Sequence, residues 1–598
     1  YYRLKVRNGH HMQFLNENLP ASIPKFEGRV DATTRFLLDH KEFTSFGWYE
    51  IRAGAPIQIR APSKHVTSST IEINCAAEDL VALPDAHEWP DYKLMCFDIE
   101  CKAGGLNENA FPEAANAHDL VIQISCVLCS LTTGQIEHTL LFSLGSCLLD
   151  DPTTTVIECA SEFELLLAFF TFLKQYSPEF VTGYNINGFD LPYLITKAVS
   201  VYEMKLDGYG KFNKRGTFKV IDLAHNRFQK TTKIKLNGLV ALDMYPIVKG
   251  KLSLANYKLN TVCEEVLRER KNDLSYKDIP VYFAEGPEER GVIGDYCVQD
   301  SLLVVKLFFK YSPHVEMAEI AKLAHISLNR VVTDGQQIRV FTCLLKAARN
   351  RGYLLPDRRF GERVAELGDA TDAPKDDESD EDAVSESESQ DSRPASRASS
   401  AGSSGRRVIG YQGATVLSPD TGFYVDPVVV FDFASLYPSI IQAHNLCFCT
   451  LTKDASALTG LTEGVDYARY DVQGHAMYYV LPHVERSLLS ELLTDWLALR
   501  KDIRARMKTA PEEQQLLLDK QQLAMKVTCN SVYGFTGVGA GLLPCLEIAA
   551  TVTTVGRAML LSTRDYIHER WRDRERFLLD FPEFREHVVS DAPHSLRV

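Results

Sequence analysis

The 598 residues are too many for one hydrophobic core, so roughly three to five domains are expected. With 45% hydrophobic and 24% charged residues, the composition excludes a fibrous or wholly unstructured chain. The formal charge of −14 does not exclude a nucleic-acid partner, because about ten of those charges lie between residues 368 and 391 and the remainder is close to neutral. The 14 cysteines are scattered through apolar segments without a signal peptide, which argues against a disulfide scaffold. The longest apolar run, 163–173, is too short for a bilayer and contains Glu164, so no membrane partner is expected. The first residue is Tyr1 rather than Met, and the sequence reads as a piece of a longer protein.

In chain order, residues 1–90 mix short strand-like runs with Pro and Gly and carry no motif. Residues 91–310 alternate strands (93–98, 121–128) with helices (162–176, 300–309), the pattern of an α/β domain. Asp98 and Glu100 stand two apart in the first strand and therefore share a face. Gly183-Tyr-Asn185-Ile-Asn-Gly-Phe-Asp190 ends in an acid at the start of an apolar helix. Tyr296 and Asp300 are spaced i, i+4 on one helical face. Asp98 and Glu100 alone read as two solvated acids on an edge, and each of the other motifs alone is weak. Four carboxylates brought together from a strand, a helix start and a helix interior can instead hold two divalent ions about 3.5–4 Å apart and cleave a phosphodiester. Tyr296 would orient the attacking water, and oxygen-only donors favour Mg²⁺ or Mn²⁺. Cys126 and Cys129 sit inside an apolar strand without a second pair, so they read as core thiols rather than a zinc site.

A helical region follows over 311–365. The acidic, Ser-rich stretch 366–407 cannot bury enough apolar surface to order itself and reads as a disordered linker. Structure is expected to resume at about 408. In 429–441 an apolar run delivers Asp432 to a strand end, where a buried acid needs a partner such as a metal ion; many such acids only cap the next helix. Residues 484–507 form an amphipathic helix with Leu492, Trp496, Leu499, Ile503 and Met507 as its apolar stripe and Arg500 and Arg504 on the flank. Pro511 suits the first turn of a second helix, 512–533, on which Lys526, Asn530 and Tyr533 share a face. Packed antiparallel, the two helices would gather Arg500, Arg504, Lys526 and Asn530 into a surface able to neutralise a triphosphate. The alternative is an ordinary solvated basic face.

The ordered trio of acidic motifs resembles the three exonuclease motifs of the RNase H-like, DEDD-type proofreading domain in family B DNA polymerases. Asp432-Phe-Ala-Ser435-Leu436-Tyr437-Pro-Ser resembles the first polymerase motif of that family, and Lys526-Val-Thr-Cys-Asn530-Ser-Val-Tyr533-Gly534 its fingers motif. Asp334-Gly-Gln-Gln-Ile-Arg339, Tyr411-Gln-Gly413-Ala, Leu274-Ser-Tyr-Lys-Asp-Ile and Gly537-Val-Gly-Ala-Gly-Leu-Leu-Pro-Cys extend the likeness to the herpesvirus members, nearest the alphaherpesvirus branch. The likeness covers about residues 90–365 and 408–598. It implies a replicative DNA-directed DNA polymerase with a 3′→5′ exonuclease and two Mg²⁺ or Mn²⁺ ions per active site. The implied arrangement is an N-terminal remnant (1–90), an exonuclease domain (91–310), a helical connection (311–365), a palm (408–480 and 537–598) and helical fingers (481–536).

By the same resemblance Asp432 and the carbonyl of Phe433 hold polymerase ions, and the backbone near Ser435 and Leu436 meets the triphosphate. Tyr437 excludes a ribose 2′-hydroxyl, while Arg500, Arg504, Lys526, Asn530 and Tyr533 surround the nucleotide. Asn185, Tyr411, Gly413 and Gly534 contact DNA. Primer–template DNA, deoxynucleoside triphosphates and a viral processivity subunit are the implied partners, in a host nucleus. One departure is expected: the hairpin that supplies the second polymerase carboxylate is not in these residues, nor is a thumb, so exonuclease activity is expected without templated synthesis. A stand-alone nuclease and a non-catalytic DNA-binding module are the alternative readings.

Overall fold

Alternation governs the strand Lys93–Lys102 (β1): Leu94, Cys96, Asp98 and Glu100 face one side of a sheet, and Met95, Phe97, Ile99 and Cys101 the other. In the computed structural model the described residues are all but 1, 3, 5, 7, 8, 21, 41, 105–109, 214–217, 227, 228, 237, 271–273, 358–415, 419, 420, 426, 427, 540, 588–593, 595, 597 and 598. Two compact units result, 36–335 and 1–35 with 336–598.

In the first unit β1 is joined by Leu120–Ser130 (β2), Ile136–Leu144 (β3), Thr154–Cys159 (β4), Phe180–Gly183 (β5) and Val240–Asp243 (β6). The six strands run in the order β6-β5-β1-β2-β3-β4. β6, β5 and β1 are parallel, β1–β2 and β2–β3 antiparallel, and β3–β4 parallel. A mixed sheet of this kind has to be covered on both faces. Helix α1 (Glu162–Tyr176) and helix α2 (Asp190–Thr196) bury Leu165, Phe169, Phe170, Leu191 and Leu194 against Met95, Phe97 and Ile99. Helix α3 (Pro287–Tyr311) covers the other face, with Leu303, Leu307 and Phe308 in one core with Leu94 and Cys96. The face of β1 that carries Asp98 and Glu100 is therefore the α3 face. Cys126 and Cys129 are buried in β2.

Helix α3 lies unusually close to the sheet. A Cβ on Gly291 would stand 1.7 Å from the Leu148 carbonyl oxygen, and one on Gly294 would stand 2.6 Å from a Leu141 methyl. Two glycines one turn apart thus let the helix backbone approach β3 and the connection that follows it, which side chains would prevent. Ser125, opposite Asp98 in the β1–β2 ladder, donates to the Cys297 carbonyl at 3.0 Å and shares a 2.8 Å hydrogen bond with Ser301. These bonds fix the height of α3 above Asp98.

The second unit contains the helices Gly335–Asn350 (α4, from Gln336 on), Leu436–Ala443 (α5), Leu488–Met507 (α6), Glu512–Gly537 (α7) and Leu546–Trp571 (α8). A small antiparallel sheet orders Leu451–Thr452 (β7), His475–Val480 (β9) and Tyr467–Val472 (β8), with β9 central. Helix α6 starts at Leu488 rather than 484 because Ser487 caps it, accepting from the Ser490 amide at 2.9 Å. Its buried line is Leu489, Leu493, Trp496 and Ile503. The expected stripe member Leu499 is 45% exposed, since the stripe turns by a fraction of a residue each heptad and places Arg500 nearer the packed side. Helix α7 runs four residues past the expected end.

The expected strand ending at Asp432 does not form: 428–433 has no regular secondary structure, and Val430 is 85% exposed. A run of β-branched residues becomes a strand only with a ladder partner, and none of the described strands pairs with it. The acidic linker 366–407, Tyr411 and Gly413 lie outside the described residues. Among those residues no helix is long and apolar enough to cross a membrane.

Candidate active sites

The strand β1 presents Asp98 and Glu100 on the side facing α3, and the register of β1 against β2 shifts just after Glu100. The unpaired residue, Ile122, is on β2, so the irregularity sharpens the local twist beside Glu100. Asp190, the first residue of α2, reaches back so that its carboxylate accepts from the Ile99 amide at 3.3 Å, between the two acids of β1. Asp300 lies on α3, close enough to Asp190 for its charge to disfavour ionisation there. Glu100, Asp190 and Asp300 are all buried, and Asp98 is partly exposed. Among the described residues, Asp98, Glu100 and Cys297 also have ligating atoms that all lie within 4.8 Å of one another.

Burial above all raises the Asp190 carboxyl to about 7; the charges of Asp243 and Asp300 add to the rise, and the amides of Asp190 and Ile99 oppose it. Gathered buried carboxylates repel one another and are costly in low dielectric unless a proton or a cation neutralises them. The donor set is rich in hard oxygens, so the residues fit a hard divalent cation. Tyr296 is half-buried, one turn before Asp300 on α3.

Asn185 adopts the left-handed region at φ 63°, which Asn tolerates better than most residues. Its side chain packs over Gly188, where a Cβ would stand 2.4 Å from Asn185 Oδ1. One further acid holds this turn and escaped the motif reading. Asp243 ends β6, beside Gly183 in β5, and is buried. Its carboxylate accepts from the amides of Asn185 at 2.8 Å, Asn187 at 3.0 Å and Tyr245 at 3.0 Å. Burial raises its carboxyl's proton affinity against the pull of those three amides. The available signal was Val240-Ala-Leu-Asp243, an apolar run ending in an acid, the same pattern as 428–432.

The second set of predicted residues surrounds α5. Asp432 is exposed and Phe433 half-buried. Ser435 sits at φ 53° just ahead of α5, followed by half-buried Leu436 and Tyr437. The Tyr437 ring packs on Tyr533 of α7 with centroids 4.4 Å apart, and Gly556 of α8 lies beside it, where a Cβ would make ordinary contact at 3.6 Å. This contact brings α5 to the face of α7 on which Lys526 and Asn530 are exposed. Arg500 donates through Nε to Gln522 Oε1 at 3.3 Å, so α7 orients it. Arg504 is exposed one turn on, and a groove of about 420 Å³ is lined by Leu497, Arg500, Lys501, Arg504, Ala505 and Lys508. Gly534 is exposed with open space above its Cα. Below it, α4 braces the end of α7: Gln336 accepts from Ser531, and Gln337 donates to the Gly534 carbonyl at 3.5 Å.

The family model for DNA polymerase family B matches residues 326–594, and that for DNA polymerase family B, exonuclease domain, matches residues 23–262. The DNA polymerase catalytic subunit of Equine herpesvirus 1 (strain Ab4p) is 56% identical over 625 aligned residues, covering 100% of this chain and 51% of the relative. The catalytic subunit of Varicella-zoster virus (strain Dumas) is 51% identical, covering 100% of this chain and 50% of the relative. The chain thus spans about half the length of the curated relatives it matches. Among solved structures, the family B DNA polymerase of the archaeon Pyrobaculum calidifontis superposes with a TM-score of 0.62 at 20% identity, over 94% of this chain and 61% of that one. That likeness shows the fold alone.

Proposed function

The chain belongs to DNA polymerase family B, and on that premise we propose that it carries the 3′→5′ exonuclease and part of the nucleotidyl-transfer site of a herpesviral replicative DNA polymerase. The observation that carries the exonuclease reading is the meeting of Asp190 with the Ile99 amide between Asp98 and Glu100, under the helix bearing Tyr296 and Asp300. Asp98, Glu100, Asp190 and Asp300 would hold two divalent ions, Mg²⁺ or Mn²⁺. When bound, such a pair supplies an activated water and charge stabilisation on the leaving 3′-oxygen.

The protein's own groups do the rest. The Tyr296 hydroxyl orients the attacking water, and the Asp243-held turn keeps Asn185 at the path of the single-stranded 3′ end. Asp190, whose burial raises its proton affinity, would hold the ions as the ionised carboxylate. At the second site Asp432 and the Phe433 carbonyl would hold the polymerase ions. Arg500 and Lys526 neutralise the triphosphate, with Arg504 and Asn530 beside them. The backbone of Ser435 and Leu436 would meet its phosphates. Tyr437, seated on Tyr533, blocks a 2′-hydroxyl, and Gly534 admits the template base.

On this reading 91–310 is the RNase H-like exonuclease domain, 408–480 with 537–598 the palm, and 481–536 the fingers. Tyr411 and Gly413 remain proposed DNA contacts. Primer–template DNA, deoxynucleoside triphosphates, a processivity subunit and a host nucleus follow from the herpesviral likeness. The test is digestion of a 3′-labelled oligonucleotide in Mg²⁺: the wild type should shorten it from the 3′ end and Asp98→Ala should not. Equal rates would refute the exonuclease assignment.

A further inference from the structure

We propose that Asp98, Glu100 and Cys297 form a site for a borderline-soft divalent cation, of the zinc–cadmium class, that competes with the hard ions of the exonuclease centre. The inference rests on the exonuclease reading for its consequence but not for its geometry. The two carboxylates and the thiol already have ligating atoms within 4.8 Å of one another. Zinc–oxygen bonds of about 2.0–2.2 Å and a zinc–sulfur bond of about 2.3 Å put tetrahedral ligands roughly 3.3–3.8 Å apart. Side-chain rotations that close the triangle by about 1 Å therefore suffice.

Cys297 is held toward Asp98 by its backbone. Its carbonyl accepts from Ser125 Oγ at 3.0 Å, and Ser125 is the ladder partner of Asp98. The Cys297 sulfur donates to the Asp98 carbonyl at 3.6 Å and lies 3.9 Å from Asp98 Oδ2. An ordinary core thiol needs apolar neighbours only; this one faces two carboxylates. Cys101 of β1 points to the opposite face and is not part of this cluster.

Three protein ligands with a fourth position open match the donor count of a zinc site that keeps a water. Sulfur selects zinc or cadmium over Mg²⁺. Asp98, partly exposed, marks the way in. On binding, the Cys297 S–H bond breaks, its proton leaves to water and a sulfur–metal bond forms, with nothing oxidised. The ion then occupies two carboxylates that the hard pair requires, so proofreading stops.

The test titrates the metal-free 598-residue protein with Cd²⁺ and follows the ultraviolet cadmium–thiolate charge-transfer band in wild type, Cys297→Ser and Glu100→Ala. Wild type should show one tight equivalent more than Cys297→Ser, and excess Mg²⁺ should weaken it at least tenfold. Glu100→Ala, which keeps every thiol, should weaken it by a similar factor and carries the test if Cys297→Ser fails to fold. Superimposable titrations of wild type and Glu100→Ala, or indifference to Mg²⁺, would overturn the site. Extra cadmium bound by a protein that does not degrade DNA in Mg²⁺ would support the site and remove the exonuclease reading. Degradation in Mg²⁺ without the Glu100-dependent cadmium signal would do the reverse.

Discussion

Asp243 touches no substrate in this account, yet it receives three amides at the turn that leads into Asp190. Asp243→Ala leaves those buried N–H groups without an acceptor, at about 1–3 kcal/mol for each that water does not reach. Exonuclease rate should fall at least tenfold, and Asp243→Asn, which keeps one acceptor oxygen, should lose less. Melting curves with single-turnover digestion check this; a lowered melting temperature with an unchanged rate would make Asp243 merely structural. Asp190 gives a second expectation. Its carboxyl sits at about 7 in the fold against 3.8 for the free group, so its contribution to stability is fully present below about pH 4 and is lost as pH rises through about 7. In chelator the melting temperature should therefore drop between pH 5 and pH 8, and Asp190→Asn should flatten that drop. Adding Mg²⁺ at pH 8 should raise the wild type's melting temperature more than the variant's.

At the scale of elements, α3 is a helix whose glycines matter more than its apolar residues for where Asp300 stands. With 1.7 Å between a Cβ at 291 and the Leu148 carbonyl, Gly291→Ala must lift the helix or move 148–149. Exonuclease activity should collapse, and a melting temperature lowered by several degrees should accompany it. Full activity in Gly291→Ala would show that the close approach is not needed. In the other unit, Arg500→Ala should weaken deoxynucleoside triphosphate binding to this chain about tenfold or more, as loss of a charge-assisted phosphate contact of ~1.5–3 kcal/mol requires. Gln522→Ala should weaken it by less, since Gln522 only orients Arg500. Equilibrium nucleotide titrations of the two variants check this.

These elements also show what the sequence could express. The alternation in 93–102 and the i, i+4 pair Tyr296–Asp300 are local patterns, and both acidic motifs were legible from them. Asp243 was not, because its role depends on β6 lying parallel to β5, a pairing across more than fifty residues that no local period encodes. The run before Asp432 read as a strand because its propensity is local, while the ladder it needs is not. Leu499 and Arg500 exchanged sides because a helical stripe drifts over two heptads.

At the scale of the whole molecule, the acids proposed for the two sites fall in two units and differ in enclosure. Glu100, Asp190 and Asp300 are buried, whereas Asp432 is exposed. Most of the excess negative charge is confined to 368–391, leaving the basic groove on α6 free to attract phosphates. The separation implies that lesions are separable: Asp300→Ala should abolish digestion and leave nucleotide affinity intact. The most direct measurement is single-turnover digestion of a 3′-labelled single strand in Mg²⁺ by wild type and by Asp98→Ala/Glu100→Ala with matched melting curves. Several kcal/mol of metal-assisted stabilisation correspond to a rate loss on the order of a thousandfold in the double variant. Undiminished digestion by that variant, or a folded wild type that leaves the strand intact, would contradict the account.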